Sequence, residues 1–249
     1  MRVCPADQDY TDESLFGGSL ICRQARKGYR FSVDAVLLAH FVSVEPCSQV
    51  LELGAGCGIV SLVLAYRQPS LIINSLEIQP QLYALACHNI AINGYHDRVN
   101  VLQGDVRQVA DHVSANTFDL VLTNPPYQQL NSSRLGPCPE RAVARHQLKG
   151  GLASFTDAAF FALKDGGRLG VVYPAAQEDE LVQVLGASGF APRRIQRVSG
   201  YPGSMEKLVL VEAVKNGPPG LTKEPSMTIL TQLGGDYTEE VAGFYEPNE

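Results

Sequence analysis

The chain has 249 residues, of which 45% are hydrophobic and 18% charged, and its formal net charge at pH 7 is -6. This composition excludes a disordered or fibrous protein and supplies enough apolar side chains for a sizeable core. No stretch is long and apolar enough to span a bilayer, and the first residues lack the apolar segment of a signal peptide. We therefore expect a cytoplasmic protein with no membrane association.

Residues 1–48 predict a compact addition in front of the main fold. Residues 15–22, centred on Gly17 and Gly18, are typical of a β-hairpin, and residues 32–39 favour a helix with Asp34 in its first turn. This lead-in is too short to be a domain of its own, so we expect residues 1–249 to form a single domain.

Residues 49–215 alternate short apolar runs with amphipathic stretches, a pattern that indicates a mostly parallel sheet with crossover helices. The predicted strands are 49–53, 71–77, 98–103, 118–123, 168–173, 191–198 and 208–214, the last two pairing as a hairpin. The predicted helices are 59–67, 81–92, 152–163 and 177–187. We therefore predict an α/β core with a seven-stranded sheet and helices on both faces, followed by a tail, 216–249, packed on the core.

Three alternating glycines, Gly54, Gly56 and Gly58, follow the first strand of this core. A glycine-rich turn between a strand and a helix is typical of a site for a nucleotide-like ligand. The dinucleotide fingerprint places its third glycine three positions after the second, where this chain has Ile59. The spacing therefore favours a nucleoside with a short amino-acid tail over a pyrophosphate.

Acidic residues follow the successive predicted strands. Glu77, about 20 residues after Gly58, ends the second strand, where a carboxylate can accept from both ribose hydroxyls. Asp105 follows the third strand and is placed to accept from an adenine amino group, and Glu52 could help to neutralise a ligand cation. Each acid alone is more often a solvent-facing residue, but their joint placement favours a ligand site.

Asn124-Pro125-Pro126-Tyr127 follows the fourth strand. The Asn124 side chain and the Pro125 main chain each offer a carbonyl, the prolines offer no competing N–H, and Tyr127 offers a ring for stacking. Two acceptors aimed at an exocyclic amine would help to localise its lone pair for attack. The alternative is an ordinary turn that ends a strand.

Basic residues concentrate in three segments, 23–30, 134–149 and 193–207, which would form a local cationic surface if they share one face. The second segment lies in residues 128–149, which we predict to be a mobile substrate loop, with a disordered insertion as the alternative. Its candidate substrate-binding residues are Arg134, Arg141, Arg145 and His146. The cysteines show no CxxC pair and no paired spacing with histidines, so we expect free thiols and no metal site.

The glycine spacing with Glu77, Asp105 and residues 124–127 resembles the Rossmann-like class I methyltransferases that use S-adenosylmethionine and modify exocyclic amines. Longer stretches are similar to the bacterial valine tRNA adenine-N6 methyltransferase family: Gln24 with 28–39, then 144–146, 208–213 and 236–238. This resemblance covers nearly the whole chain. It departs from the commoner pattern at Glu52, which is often Asp, and at Cys57, which is often Asn.

The resemblance implies S-adenosylmethionine as the cofactor and a tRNA adenine beside the anticodon as the target. It implies that Asn124, Pro125, Pro126 and Tyr127 are the catalytic residues. The implied cofactor-binding residues are Phe31, Asp34, Glu52, Gly54, Gly56, Gly58, Glu77, Ile78, Asp105, Val106 and Asn124.

Three other functions stay open on the sequence alone. The same four-residue motif serves enzymes that methylate a protein glutamine at N5, and others that methylate amino groups of other nucleic acids. The chain lacks the length for the extra domains that many of those enzymes carry. The third alternative is a non-catalytic module that binds the cofactor and RNA. The sequence does not predict the oligomeric state.

Overall fold

The computed structural model describes residues 9–27, 30–126 and 151–247. At its start, strands β1 (Tyr10–Leu15) and β2 (Leu20–Ala25) pair antiparallel around a short 3-10 turn, Phe16–Gly18. Helix α1 (Val33–Phe41) follows. The predicted hairpin and helix are therefore confirmed, although both hairpin strands are longer than predicted.

The core contains the seven predicted strands and four predicted helices. They are β3 (Gln49–Leu53), α2 (Ile59–Arg67), β4 (Ile72–Glu77), α3 (Pro80–Ile92), β5 (Val99–Gln103), β6 (Phe118–Thr123), α4 (Gly151–Ala162), β7 (Leu163–Pro174), α5 (Glu178–Ala187), β8 (Phe190–Ser199) and β9 (Glu206–Lys215). Strand β7 begins at Leu163 rather than at Arg168. The turn-like Gly166 and Gly167 lie inside this strand, where its pairing with β6 is irregular and Gly166 has a φ of 77°.

The sheet has the strand order β8-β9-β7-β6-β3-β4-β5. Strands β3 to β7 are parallel, whereas β9 runs antiparallel to both β7 and β8, which confirms the hairpin predicted at the edge. The expected count of seven strands was too low. Two short strands from the tail, β10 (Thr222–Lys223) and β11 (Met227–Thr228), pair with β8 and make the sheet nine-stranded. Two-residue strands leave no periodic signal in a sequence.

Helices cover both faces of the sheet, as predicted, and each face has its own hydrophobic core. In β3, Val50 belongs to the core shared with α1, α2 and α3, whereas Leu51 and Leu53 belong to the core shared with α4 and α5. Successive side chains of a strand point to opposite faces. Glu52 therefore lies on the same face as Val50, toward α2.

The end of the chain returns to the N-terminal hairpin and α1. A short helix, α6 (Glu239–Gly243), begins after Thr238, whose hydroxyl accepts from the backbone N–H of Val241. The Phe16 N–H then donates to the Tyr245 carbonyl at 3.1 Å, and the Phe244 ring stacks on His40 with ring centres 4.4 Å apart. Burial lowers the pKa of His40 to about 3, so this contact joins two uncharged rings. Within the described ranges, no helix has the length and apolar content to cross a membrane.

Candidate active site

The carboxyl ends of four neighbouring parallel strands bring the predicted site residues to one edge of the sheet. Strands β6, β3, β4 and β5 are adjacent in that order, and Leu53 is in register with both Thr123 and Leu76. The glycine turn follows β3, Glu77 ends β4, Asp105 follows β5 and Asn124 follows β6. The order of the strands along the chain reverses between β3 and β6, which is where open α/β sheets bind their ligands.

The glycine turn has a backbone that only glycine adopts readily. Gly54, Gly56 and Gly58 have φ values of 77°, 58° and 85°. The Gly54 N–H donates to the Leu76 carbonyl at 2.8 Å, which ties the turn to the end of β4. A Cβ at Gly54 would lie 3.3 Å from the Phe155 ring, and one at Gly58 would lie 3.3 Å from the Ala86 Cβ. The turn is therefore packed between α4 and α3 and presents bare backbone.

Glu77 is held by backbone N–H groups on both of its carboxylate oxygens. Gly56 donates to Oε2 and Gln79 donates to Oε1, each at 2.8 Å. The residue is only 4% exposed, and burial raises the pKa of its carboxyl against the opposing effect of these bonds. A carboxylate has about four lone-pair positions, so each oxygen retains an acceptor position for a ligand hydroxyl.

Asp105 begins the 3-10 helix Val106–Asp111, and its carboxylate is paired with Arg107. The Arg107 backbone N–H donates to Oδ1 at 2.9 Å, and its Nε lies 3.0 Å from Oδ1 and 2.9 Å from Oδ2. Nη2 also donates to Oδ2. The Arg107 hydrogen bonds lower the pKa of Asp105, which keeps it an ionised acceptor.

Glu52 is equally buried, and its carboxylate accepts hydrogen bonds from α2. Its Oε2 accepts from the Ser61 backbone N–H at 3.1 Å and from the Ser61 hydroxyl, which also lies 2.7 Å from the Ser75 hydroxyl. Ser61 is in the first turn of α2, where backbone N–H groups lack partners within the helix. Burial raises the pKa of Glu52 to about 7. Through these contacts Glu52 caps the first turn of α2. Its predicted role toward a ligand cation stays a prediction.

Asn124 is half-buried, Pro125 is buried and Pro126 is exposed at the end of β6. The preceding Thr123 is buried, and its hydroxyl donates to the Leu53 carbonyl at 3.0 Å. This bond joins the strand that carries Asn124 to the residue before the glycine turn. The predicted residues Tyr127, Arg134, Arg141, Arg145 and His146, with the predicted loop 128–149, lie outside the described residues.

The remaining predicted cofactor residues have the following surroundings. The Phe31 backbone N–H donates to the buried Gln24 side chain at 3.1 Å. The pKa of Tyr245 is raised by burial, then by Tyr237, and to a smaller extent by the charge of the nearby Asp34. Ile78 is half-buried beside Glu77, and Val106 is buried in the core shared with α4 and α5. Their roles toward a cofactor stay predictions.

Three features of the site were missed by sequence reasoning. Two are the partners of the acids: Arg107, which follows Asp105 by two positions and could have been noticed, and Ser61, which gave no signal. The third is a buried contact between Cys57, in the glycine turn, and Cys22, with sulfur atoms 3.8 Å apart. Cys22 and Cys57 are far apart in the sequence, so their contact could not be predicted without the fold.

The basic segments at 23–30 and 193–207 are largely compensated by carboxylates. Arg23 pairs with Asp12 at 2.7 Å, Arg30 pairs with Glu13 at 2.5 Å, and Arg197 pairs with Glu178 at 2.7 Å. These guanidinium groups already have anionic partners, so the segments contribute less to a cationic surface than their sequences indicate.

The donors and acceptors at the sheet edge suit a nucleoside with an amino-acid tail. Side chains at Gly54 and Gly58 would crowd Phe155 and Ala86, and two carboxylates, Glu77 and Asp105, lie at the ends of adjacent strands. In the part of the chain that the structure describes, no group of three His, Cys, Asp or Glu residues could hold a metal ion.

Comparisons with known proteins agree with this geometry. Residues 32–188 match the family described as "Methyltransferase small domain". A protein of Shewanella amazonensis named tRNA1(Val) (adenine(37)-N6)-methyltransferase is 29% identical over 212 residues, which cover 85% of this chain and 88% of that protein. A protein of the same name from Parabacteroides distasonis is 28% identical, covering 74% of this chain and 76% of its own length.

Solved structures show the same fold. A predicted O-methyltransferase from Agrobacterium tumefaciens has a TM-score of 0.69 at 20% identity and covers 86% of this chain and 98% of its own. A SAM-dependent methyltransferase from Aquifex aeolicus has a TM-score of 0.53 at 15% identity and covers 72% of this chain and 88% of its own. The predicted Rossmann-like α/β fold is therefore confirmed.

Proposed function

Because the chain belongs to the methyltransferase small domain family, we propose that it transfers a methyl group from S-adenosylmethionine to N6 of a tRNA adenine. The target that we propose is the adenine beside the anticodon of a valine tRNA, as the names of the relatives indicate for those proteins. The observation that carries the proposal is the meeting of a glycine turn, two carboxylates and Asn124 at one sheet edge.

The chain's own residues would hold the cofactor at its three parts. The backbone of the glycine turn lies against the methionine end, Glu77 accepts from the ribose hydroxyls and Asp105 accepts from the adenine amino group. Bound S-adenosylmethionine supplies an electrophilic methyl group on a sulfonium. The remaining contribution of the protein is to position the acceptor amine and to stabilise charge.

Asn124 and Pro125 would hold the target amine. The lone pair of an exocyclic adenine amine is delocalised into the ring, which makes the nitrogen a poor nucleophile. The Asn124 side-chain carbonyl and the Pro125 backbone carbonyl accept its two hydrogens and favour the localised lone pair. The Thr123 hydroxyl fixes these acceptors relative to the glycine turn.

A nucleic-acid base must leave its stack to enter such a crevice. Extrusion costs a few kcal/mol and costs least for a base that is already exposed. A purine beside the anticodon is such a base, because loop bases are easily splayed out. This favours an RNA loop over duplex DNA as the substrate.

The test is transfer of a radiolabelled methyl group to total tRNA from a strain that lacks the gene, followed by nucleoside analysis. We expect label in the tRNA and recovery of N6-methyladenosine. Label in the protein fraction as N5-methylglutamine would replace this proposal with the protein substrate. A rise in Tm with S-adenosylmethionine but no transfer to either fraction would indicate a non-catalytic module.

Asn124→Ala tests the amine-holding residues. We expect kcat to fall by about a hundredfold or more, because positioning and electrostatic contributions of single groups reach this size. The Kd for S-adenosylhomocysteine should stay close to its original value. A control is Asn100→Ala on the exposed part of β5, where kcat should not change. Unchanged turnover in Asn124→Ala would exclude the amine-holding role.

A further inference from the structure

Arg107 fixes the orientation of the Asp105 carboxylate. Three Arg107 hydrogens, on the backbone N, Nε and Nη2, point at the carboxylate, and the Nε hydrogen is shared between both oxygens. Each carboxylate oxygen therefore has two Arg107 contacts, one of which it shares with the other oxygen.

The Asp105 carboxylate is fixed in direction by these contacts. The backbone bond and the planar guanidinium fork hold the Asp105 carboxylate from two sides, so it cannot rotate to suit a different ligand. The Asp105 side chain is 14% exposed and the Arg107 side chain 42% exposed, so the pair lies at the surface of the site. A ligand at this edge therefore meets an ionised carboxylate of fixed orientation.

We infer that Arg107 is a positioning residue for cofactor specificity: it fixes Asp105 so that this carboxylate accepts from an adenine amino group and rejects a ring carbonyl. This inference rests on the proposed function, because it takes the adenine end of the cofactor to lie against Asp105. An amino group donates to this carboxylate, whereas a carbonyl at the same place brings a second oxygen against an ionised oxygen.

The chain contains a closely matched pair away from the site. Arg197 binds Glu178 through Nε at 2.7 Å and Nη2 at 2.9 Å, and their side chains are 43% and 16% exposed. Arg197 lies on β8, and strands β9, β7, β6, β3 and β4 separate it from β5. Arg197→Ala therefore removes a comparable ion pair, together with a longer contact between Nε and Glu206 at 3.6 Å, without touching the strand that leads to Asp105.

The test compares S-adenosylhomocysteine with S-inosylhomocysteine, which has a carbonyl in place of the amino group, by calorimetry. We expect the wild-type chain to prefer the adenosyl compound about tenfold or more, because a hydrogen bond to a charged group is lost. In Arg107→Ala the preference should fall below about threefold. Arg107→Lys keeps the charge without the fork and should be intermediate, and Arg197→Ala should keep the full preference.

The outcomes separate this inference from the proposed function. Binding of neither compound to the wild-type chain would overturn both. Tight binding with no preference in the wild type, or with the full preference retained in Arg107→Ala, would overturn the role of Arg107 alone. If Arg107→Ala does not fold, as judged by its Tm, the intermediate preference of Arg107→Lys decides the question.

Discussion

Glu52 and Glu77 lie near the ends of adjacent strands, and each is 4% exposed. Glu77 accepts one backbone N–H on each oxygen, from Gly56 and Gln79, which border the site. Glu52 accepts two donors on one oxygen, both from Ser61 of α2. Equal burial of the same residue type therefore accompanies two arrangements, one open to a ligand and one closed on a helix. The direction of the side chain, rather than its burial, decides the role.

Glu77→Gln should show the largest effect on ligand binding. An amide group keeps one acceptor oxygen, but its NH2 group would face a backbone N–H and offer no lone pair to a ribose hydroxyl. Loss of hydrogen bonds from two hydroxyls to a charged acceptor should weaken S-adenosylhomocysteine about a thousandfold. Calorimetry measures this loss, and Glu52→Gln is the matched variant, whose loss of affinity should be much smaller because the Glu52 carboxylate accepts from Ser61. Equal losses in both variants would contradict the difference between the two glutamates.

Glu52→Gln should instead change how stability depends on pH. Burial raises the pKa of Glu52 from 4.5 to about 7, so the folded state holds a proton that the unfolded state releases. The contribution of protonated Glu52 to the free energy of unfolding is fully present below pH 4.5 and is lost as pH rises through about 7. The rise corresponds to an upper bound of about 3 kcal/mol.

Urea unfolding at pH 5 and at pH 8 measures this contribution. The neutral amide does not titrate, so Glu52→Gln should gain stability relative to the wild type between these two values. The raised pKa of Glu77 adds a slope of the same sign, and the Glu77 charge also raises the pKa of Glu52, so the comparison measures the titration of Glu52 together with its interaction with Glu77. An identical pH dependence in the two proteins would show that Glu52 does not titrate in this range.

The sequence could predict where Glu77 lies because β4 and the helix after it have clear patterns. It could not predict the direction of Glu52, because β3 is buried on both faces and an apolar run carries no alternation. The sequence also could not identify Ser61 as a partner of Glu52, because that hydrogen bond depends on how the glycine turn orients α2. The two short strands β10 and β11 lie in a polar, proline-containing tail, where pairing with β8 decides the structure.

The cofactor residues show the same division. The glycine turn could be predicted because positive φ values and close packing favour glycine. Gly54, Gly56 and Gly58 are therefore recognisable in the sequence. The adjacency of β3 and β6 agrees with the rule that open α/β sheets bind their ligands where the strand order reverses. The hydrogen bonds that orient Asp105 and that join Thr123 to Leu53 depend on side-chain geometry, which no spacing rule contains.

The smallest effect that we expect is that of Ser61→Ala, which tests whether the closed arrangement of Glu52 stabilises the fold. Removing the Ser61 hydroxyl leaves the buried Oε2 of Glu52 with one donor fewer, which should lower the free energy of unfolding by about 1 kcal/mol. Because the Ser61 hydroxyl also opposes the rise in the pKa of Glu52, its loss should cost more at pH 8 than at pH 5. Ser75→Ala is the control: the Ser75 hydroxyl contacts that of Ser61 at 2.7 Å, and its loss should be nearly independent of pH. If Ser61→Ala costs the same in the wild type and in Glu52→Gln, the hydroxyl acts on α2 alone and the closed arrangement does not depend on the charge of Glu52.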